Sequence, residues 1–447
     1  MHLTEMSMEQ LLSREGIRCC ACDRTHHCGV EEVILGSGAV NHTAEVLARH
    51  GIHHPFVVCD ENTRKAAMAQ VEFSLIQKGM TYEVFSLGDG HIEPDERAVG
   101  ALTMAFPAGC DGILAVGSGV INDCCKVLAH AVGRRSVVVG TAPSMDGYAS
   151  NSASMIQNGV KVSLYTGSPV AVIADTAIMK DAPMRMLQAG YGDMLAKYCA
   201  LCEWRIANLV TGEPYCEEIA DMMRKALRQV CEGANQLAQR DEDAVGKVVS
   251  GLILSGIAMS FAEVSRPASG VEHYFSHMWE MMDLERGYPS ELHGIQVGVG
   301  TILTLQVLEW MRCQTPAREH AEKAYAAFSQ GSWLVEIQRI FGKAAPAILK
   351  GEEACGKNAP DAHRGRLDRL LAHWDEILSI MEEELPDKEV LLAQMNHLQM
   401  PTTPEDLGIS PKDVVDAWIG SREIRSKYLC SSICWDLGWL REAADLL

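Results

Sequence analysis

Short apolar runs separated by helical patterns fill the first 180 residues of the chain. The runs Glu32 to Leu35, Phe56 to Cys59, Tyr82 to Phe85, Gly112 to Val116 and Val137 to Gly140 predict strands, several of them with no polar face to show to water. Between them, Asn41 to His50 and Asn62 to Lys78 space their apolar residues as helices do. That rhythm predicts βαβ units, a mainly parallel sheet and helices on both of its faces. Two further runs, Val160 to Tyr165 and Pro169 to Ala174, predict an added hairpin or edge strand and then a last core strand.

After Asp181 the period changes. Long 3.6-residue patterns take over in Met186 to Ala207, Glu217 to Ala238, Val245 to Val264, Gly294 to Met311, Ala317 to Gln330 and Asp361 to Glu384. With a boundary near Thr176 to Pro183, the expectation is an α/β domain over residues 1–180 and an all-helical domain over 181–447. The most apolar helix, around Val248 to Ala262, is interrupted by Ser and Gly and reads as a buried core helix, not a membrane span.

At 447 residues the chain exceeds one core of typical size. Its formal charge of −20 argues against non-specific nucleic-acid binding, which needs a basic surface, yet leaves room for an anionic small substrate held by a few local cations. Met1 to Gly16 shows no apolar signal-peptide core, so a cytoplasmic location is expected. The 16 cysteines are scattered through a large chain, which suits reduced thiols better than a disulfide framework. Cys19, Cys20 and Cys22, with His26, His27 and Cys28, would offer metal ligands, but their spacing matches no closed pattern of four cysteines or of two cysteines and two histidines. Cys199 and Cys202 read as buried thiols of a helix.

Two glycine turns compete to hold a phosphate: Gly36-Ser37-Gly38 after the first strand, and Gly117-Ser118-Gly119-Val120-Ile121-Asn122-Asp123 after the fourth. Each would expose backbone N–H groups at a helix start, and each is equally compatible with a plain strand-to-helix turn. The second is favoured, because Asn122 and Asp123 open its helix and the loop Thr141 to Ser150 follows one βαβ unit later. Asp60, at the end of the second strand, suits a ribose 2′-hydroxyl and hence NAD over NADP; a helix N-cap is the alternative. Asp193, His273 and His293 have the chemistry of a divalent-metal site with an open position. Asp193 and Lys197, four apart, also fit a helix ion pair, and His277 shares a helical face with His273. A nucleotide-type loop followed by such a trio points to a metal-assisted dehydrogenase.

The blocks Thr-Ala-Pro-Ser-Met-Asp-Gly-Tyr-Ala-Ser (141–150), Gly-Tyr-Gly-Asp-Met-Leu-Ala-Lys-Tyr (190–198), Ser265 to His273, His293 to Gly298, Ile424 to Tyr428 and Trp435 to Gly438 resemble the sn-glycerol-1-phosphate dehydrogenases. The wider superfamily holds iron- or zinc-dependent alcohol dehydrogenases, glycerol dehydrogenases and dehydroquinate synthases. The resemblance covers most of the chain, leaving the Cys-rich start and residues 343–375 unmatched. It implies a Rossmann-like domain followed by a helical one, the active site between them, and a homodimer without stable membrane insertion. It further implies Asp193, His273 and His293 as metal ligands, with Asp146, Asp193 and His277 at the substrate. Gly119 to Asp123, Thr141 to Ser144 (with Ala142 and Pro143) and Ser150 would hold the dinucleotide, NAD or NADP.

Where the iron-dependent alcohol dehydrogenases carry a ligand histidine, this chain has Lys197. That departure disfavours the iron type and suits a phosphorylated polyol or ketose, since an ammonium pairs with phosphate. Imidazole and carboxylate ligands suit zinc, nickel or iron, with zinc the first choice and nickel the second. The implied reaction is reversible reduction of dihydroxyacetone phosphate. A glycerol or polyol dehydrogenase, a dehydroquinate synthase-like lyase and a non-catalytic nucleotide-binding regulator are the alternatives.

Overall fold

The computed structural model describes residues 2–19 and 21–447, so Cys20 of the Cys-rich start lies outside the described residues. Two compact units emerge: Met1–Met194 with Cys216–Ser265, and Leu195–Tyr215 with Arg266–Leu447.

The first unit carries all the strands found among the described residues: β1 (Ile17–Arg18), β2 (Thr25–His26), β3 (Glu32–Gly36), β4 (Pro55–Cys59), β5 (Glu83–Ser86), β6 (Gly112–Gly117), β7 (Arg135–Gly140), β8 (Ser152–Gln157), β9 (Val160–Tyr165) and β10 (Ala171–Asp175). Six of them form one sheet in the order β3-β10-β7-β6-β4-β5, every neighbouring pair parallel. Strands β4, β6 and β10 are buried at every position, as their unbroken apolar runs foretold. Val57, Leu114, Val116, Val137, Val139 and Ile173 pack one face of the sheet against Val46, Leu47, Val71 and Leu75 of the crossover helices.

Two small antiparallel pairs complete the strands, β1 with β2 and β8 with β9. In the second, Gln157 pairs with Val160, and the turn between them is Asn158-Gly159, both at positive φ (53° and 72°). That is the two-residue turn whose twist matches a hairpin, and Asn-Gly is the dipeptide that adopts it most readily. Strand β8 itself, Ser-Ala-Ser-Met-Ile-Gln, has little apolar signal and was not foreseen from the pattern; the turn fixes its place.

The strands end at Asp175, one residue before the expected boundary at Thr176 to Pro183, and helices follow. The compact units are cut differently: Glu217–Glu232 and Glu242–Ala262 lie with the sheet-bearing unit. The run Met186 to Ala207 proves to be two helices, Met184–Leu195 and Lys197–Thr211, and Asp361 to Glu384 likewise divides into Pro360–Ala372 and Trp374–Glu384. Unmatched residues 343–375 are helical too, in Ala345–Cys355 and those that follow. Among the described residues Glu242–Ala262 alone is long and apolar enough to cross a membrane, and 72% of its most apolar window is buried inside the protein. Its apolarity comes from burial on nearly all sides, the expected core-helix case.

Helix glycines bring the 141–150 loop into the core of the first unit. A Cβ on Gly190 would sit 1.8 Å from the Pro143 carbonyl oxygen, and one on Gly256 would sit 2.8 Å from the Ala149 Cβ. Only glycine permits such contact between a helix and a loop backbone. Gly190→Ala is therefore expected to lower the urea midpoint by an amount equivalent to about 1–3 kcal/mol, the usual cost of overpacking. Gly100→Ala, in helix Glu96–Ala105 with nothing within 4 Å of the new Cβ, is expected to gain about 0.5–1 kcal/mol. Equal behaviour of the two variants would refute this account of the packing.

Candidate functional site

Parallel strands deliver their following loops to one edge of the sheet. From β4 the chain runs outward to β5, returns to β6 on the other side of β4, and then continues through β7. The order of strands thus reverses between β4 and β6, the position where open α/β sheets form a crevice beyond the strand ends. Asp60 follows β4 and Ser118 follows β6 at this place. The competing turn, Gly36 to Gly38, leaves β3 at the far edge of the sheet, away from the reversal.

Gly117 closes β6 in register with Gly140 of β7, so the two loops that follow begin side by side. The Thr141 N–H donates to the Gly117 carbonyl (3.1 Å), and the Ser118 and Ser144 hydroxyls share a 2.6 Å hydrogen bond. The helix Gly119–Val132 starts here with no side chain capping its first turn, an electropositive end suited to an anion. Val120 and Ile121 lie in that first turn. Asp60 is the N-cap of the next helix: its Oδ1 accepts the Thr63 N–H at 2.7 Å, and Thr63 Oγ1 accepts the Asp60 N–H in return. The cap alternative is thus realised in the structure.

Lys126 holds the 141–150 loop, although no motif in the sequence marks it. Its ammonium is buried and donates to the carbonyls of Gly147 (2.6 Å) and Ser152 (2.8 Å), to the Ser150 hydroxyl (3.1 Å) and to Asp123 Oδ1 (3.3 Å). Asp123 also accepts the Ser154 N–H, and the Asn122 amide donates to the Gly147 carbonyl. Burial pushes the Lys126 pKa down, with Asp123 opposing; burial pushes the Asp123 carboxyl up, with Lys126 opposing. The signal that would have found Lys126 was available: a Lys three residues after an Asp, on a helix otherwise apolar there. Tyr148 secures the loop's middle by donating to the Ala142 carbonyl at 2.7 Å, and burial raises its phenol pKa to about 12.

Two of the expected site carboxylates meet in the first unit. The Asp146 N–H donates to Asp193 Oδ2 at 2.9 Å, and the Ser255 hydroxyl donates to Asp146 Oδ2 at 2.7 Å. Asp193 is fully buried on helix Met184–Leu195, whose Gly190 makes the close approach to Pro143.

The imidazoles gather in the second unit. Helix Val271–Arg286 presents His273 and His277 one turn apart, and His293 begins helix His293–Arg312. Ring centroids of His273 and His293 stand 5.3 Å apart, those of His277 and His293 5.5 Å, and those of His273 and His277 6.5 Å. Each ring is oriented through Nδ1: His273 by Glu272 Oε1 (2.9 Å), His277 by Glu280 Oε2 (3.3 Å), and His293 by the Ser276 hydroxyl (3.0 Å) with Glu280 Oε1 at 3.4 Å. A carboxylate or hydroxyl on Nδ1 is the arrangement that turns Nε2 toward a metal, so the donor set fits a borderline divalent cation. Glu280 was missed in the sequence, although it follows His277 at the i,i+3 spacing of one helical face; its carboxylate, His277 and His293 offer ligand atoms within 4.8 Å of one another. Lys197, also buried and in this unit, donates to the Ala268 carbonyl at 3.1 Å.

The model of the iron-containing alcohol dehydrogenase family matches residues 34–183, ending before the first expected metal ligand. An NAD(P)+ glycerol-1-phosphate dehydrogenase of Halalkalibacterium halodurans is 35% identical over 288 residues, spanning 64% of this chain and 72% of its own. One from Bacillus licheniformis is 32% identical over 363 residues, spanning 79% of this chain and 90% of its own. The crystal structure of a probable glycerol dehydrogenase from Sinorhizobium meliloti matches with a TM-score of 0.61 over 94% of this chain and 98% of that one; at 18% identity this is a likeness of fold alone.

Lys126→Met is expected to cost about 3–5 kcal/mol, because it leaves Asp123 buried without its cation. Adding Asp123→Asn restores part of that loss if the pair is what matters. Urea midpoints of the two single variants and the double variant test this, and strict additivity would show that the ammonium and carboxylate act independently.

Proposed function

Because the chain belongs to the glycerol-1-phosphate dehydrogenase family, we propose that it interconverts sn-glycerol 1-phosphate and dihydroxyacetone phosphate, with NAD or NADP as hydride acceptor. The observation that carries this is kinship over most of the chain, joined to a rigidly held loop at the reversal of the sheet. Oxidation takes a hydride from the middle carbon to the nicotinamide and releases the proton of its hydroxyl; reduction runs the same transfers backward.

In this proposal the first turn after β6, Gly117 to Asp123, cradles the dinucleotide phosphates with backbone N–H groups, and Thr141, Ala142, Pro143, Ser144 and Ser150 form the neighbouring wall. Asn122 and Asp123 contribute by holding that wall, since their side chains are engaged with Gly147, Lys126 and Ser154. Asp60 faces the ribose. Asp193, His273 and His293 ligate a divalent cation, with zinc preferred and nickel next; their support is a buried carboxylate and two imidazoles oriented through Nδ1. When bound, that cation supplies Lewis-acid polarisation of the substrate oxygen. Asp146 and His277 handle the hydroxyl proton, and Lys197 answers the phosphate charge. A cytoplasmic homodimer, with residues 1–180 binding the nucleotide and 181–447 the metal and substrate, completes the proposal.

His273→Ala is expected to lose the cation assigned to Asp193, His273 and His293 and nearly all turnover while keeping nucleotide affinity, measured by metal stoichiometry against the parent and titration calorimetry. An unchanged stoichiometry with normal turnover would remove His273 from the ligand set. Glu280→Gln, which disturbs two imidazoles without deleting a ligand, is expected to weaken metal binding about 10- to 100-fold. Steady-state assays with NADH and NADPH are expected to show dihydroxyacetone phosphate reduced in preference to dihydroxyacetone and simple aldehydes. Equal rates on the unphosphorylated ketone would overturn the substrate assignment.

A further inference from the structure

Three residues of the Cys-rich start, Cys19, Cys22 and His26, are joined in the fold by a fourth from almost two hundred residues away. Strands β1 and β2 form a short hairpin in which Ile17 pairs with His26, with Cys19 and Cys22 in the turn between them. Cys216 comes to the same place as the N-cap residue of helix Glu217–Glu232, in the same compact unit. The ligand atoms of Cys19, Cys22, His26 and Cys216 all lie within 4.8 Å of one another.

The spacings decide what this cluster is built for. Cys19 and Cys216 sulfurs are 3.5 Å apart, Cys22 Sγ is 3.2 Å from His26 Nε2, and Cys216 Sγ is 3.8 Å from the same nitrogen. A disulfide would need about 2.05 Å between sulfurs. Tetrahedral zinc, with bonds of about 2.3 Å to sulfur and about 2.0–2.1 Å to nitrogen, sets ligand-to-ligand edges of roughly 3.5–3.8 Å. The observed distances are close to those edges.

The surroundings prepare each donor. His26 is buried, and its Nδ1 donates to the Phe261 carbonyl at 2.8 Å while its ring stacks on the Phe261 ring at 5.5 Å. That bond fixes the tautomer and leaves Nε2, the atom facing the sulfurs, as the lone-pair donor. Backbone N–H groups of Cys22 and Ala21 hydrogen-bond the Cys19 sulfur and hold its thiol low against burial, whereas burial pushes the Cys216 thiol up against the hydrogen bond from the Ile219 N–H at its helix start. Cys19 and Cys216 are buried and Cys22 half-buried, so four protein donors surround one position mostly withdrawn from solvent.

We propose that Cys19, Cys22, His26 and Cys216 bind one zinc ion as a closed structural site of three thiolates and one imidazole, separate from the histidines of the second unit. The ion fastens the N-terminal hairpin to the start of helix Glu217–Glu232, and the bond from His26 Nδ1 to the Phe261 carbonyl ties the same hairpin to the end of helix Glu242–Ala262. Their neighbours show the same docking, with Glu218 accepting the Leu3 N–H at 2.9 Å and the Lys225 ammonium donating to the Thr4 carbonyl at 2.7 Å.

Cobalt is the probe, because thiolate ligation gives Co(II) an intense charge-transfer absorption near the ultraviolet that oxygen and nitrogen ligands do not give. Full-length protein loaded with Co(II) is expected to show this band, His273→Ala to retain it, and Cys22→Ser and Cys216→Ser to lose or diminish it. Protein purified without added metal is expected to hold zinc that survives His273→Ala. Failure of the His273 assignment would leave the band untouched, so the two metal assignments are tested apart. Absence of the band in the full-length parent, or a Cys19–Cys216 disulfide in non-reduced peptide mapping, would overturn the proposal even if the serine variants do not fold.

Discussion

The contact between Gly190 and the Pro143 carbonyl governs how the first unit is assembled. With no Cβ, helix Met184–Leu195 lies against the backbone of the 141–150 loop, and Gly256 lets helix Glu242–Ala262 do the same at Ala149. Loops are usually mobile because their backbone polar groups need water. Here Lys126 and Asn122 take up the Gly147 carbonyl and Tyr148 takes up that of Ala142 in place of water. The same packing carries the Asp146 N–H to Asp193, which makes the position of one carboxylate a consequence of how the other's helix packs.

The buried Lys126 shows how the competing terms are settled. An unpaired ammonium in the interior would cost several kcal/mol after relaxation. Two carbonyls, a hydroxyl and a carboxylate satisfy its three donors, and the residual effect of burial is a lowered pKa, not a lost contact. A smaller or neutral side chain would fill less of that need. What the charge contributes is convergence: one atom ties the first helix after β6 to Gly147 and Ser150 in the second half of the loop after β7 and to Ser152 at the beginning of β8.

Legibility followed the range of the interactions. Core strands β4, β6, β7 and β10 were readable because burial on both faces demands unbroken apolar runs, and the strand-to-helix change near Asp175 was readable from period alone. Strand β8 was not, since its six residues are mostly small or polar and its Asn158-Gly159 turn carries the information instead. Candidate residues with local partners could be grouped in advance, such as His273 and His277 on one helical face. Cys216 could not, because its importance depends on residues that the packing delivers from elsewhere in the chain; Lys126 carried a local signal in its spacing from Asp123, but the loop it holds comes from a different strand. Glu280 lay between these cases: its spacing from His277 was visible, but its reach to His293 required two packed helices.

Asp60 illustrates why a structural role does not exhaust a functional one. Its Oδ1 accepts the Thr63 N–H and fixes the start of a helix, the bland alternative that the sequence allowed. A carboxylate has about four lone-pair sites, and a cap uses one of them. The cap also holds the side chain still at the end of β4, beside the reversal of strand order. Under the proposed function, a ribose would meet a carboxylate already immobilised by its own helix, with little rotamer freedom left to lose on binding. A 2′-phosphate would meet the same fixed negative charge and be disfavoured for the same reason. Under that proposal capping and cofactor choice are not rival accounts of Asp60, because the first would make the second more selective.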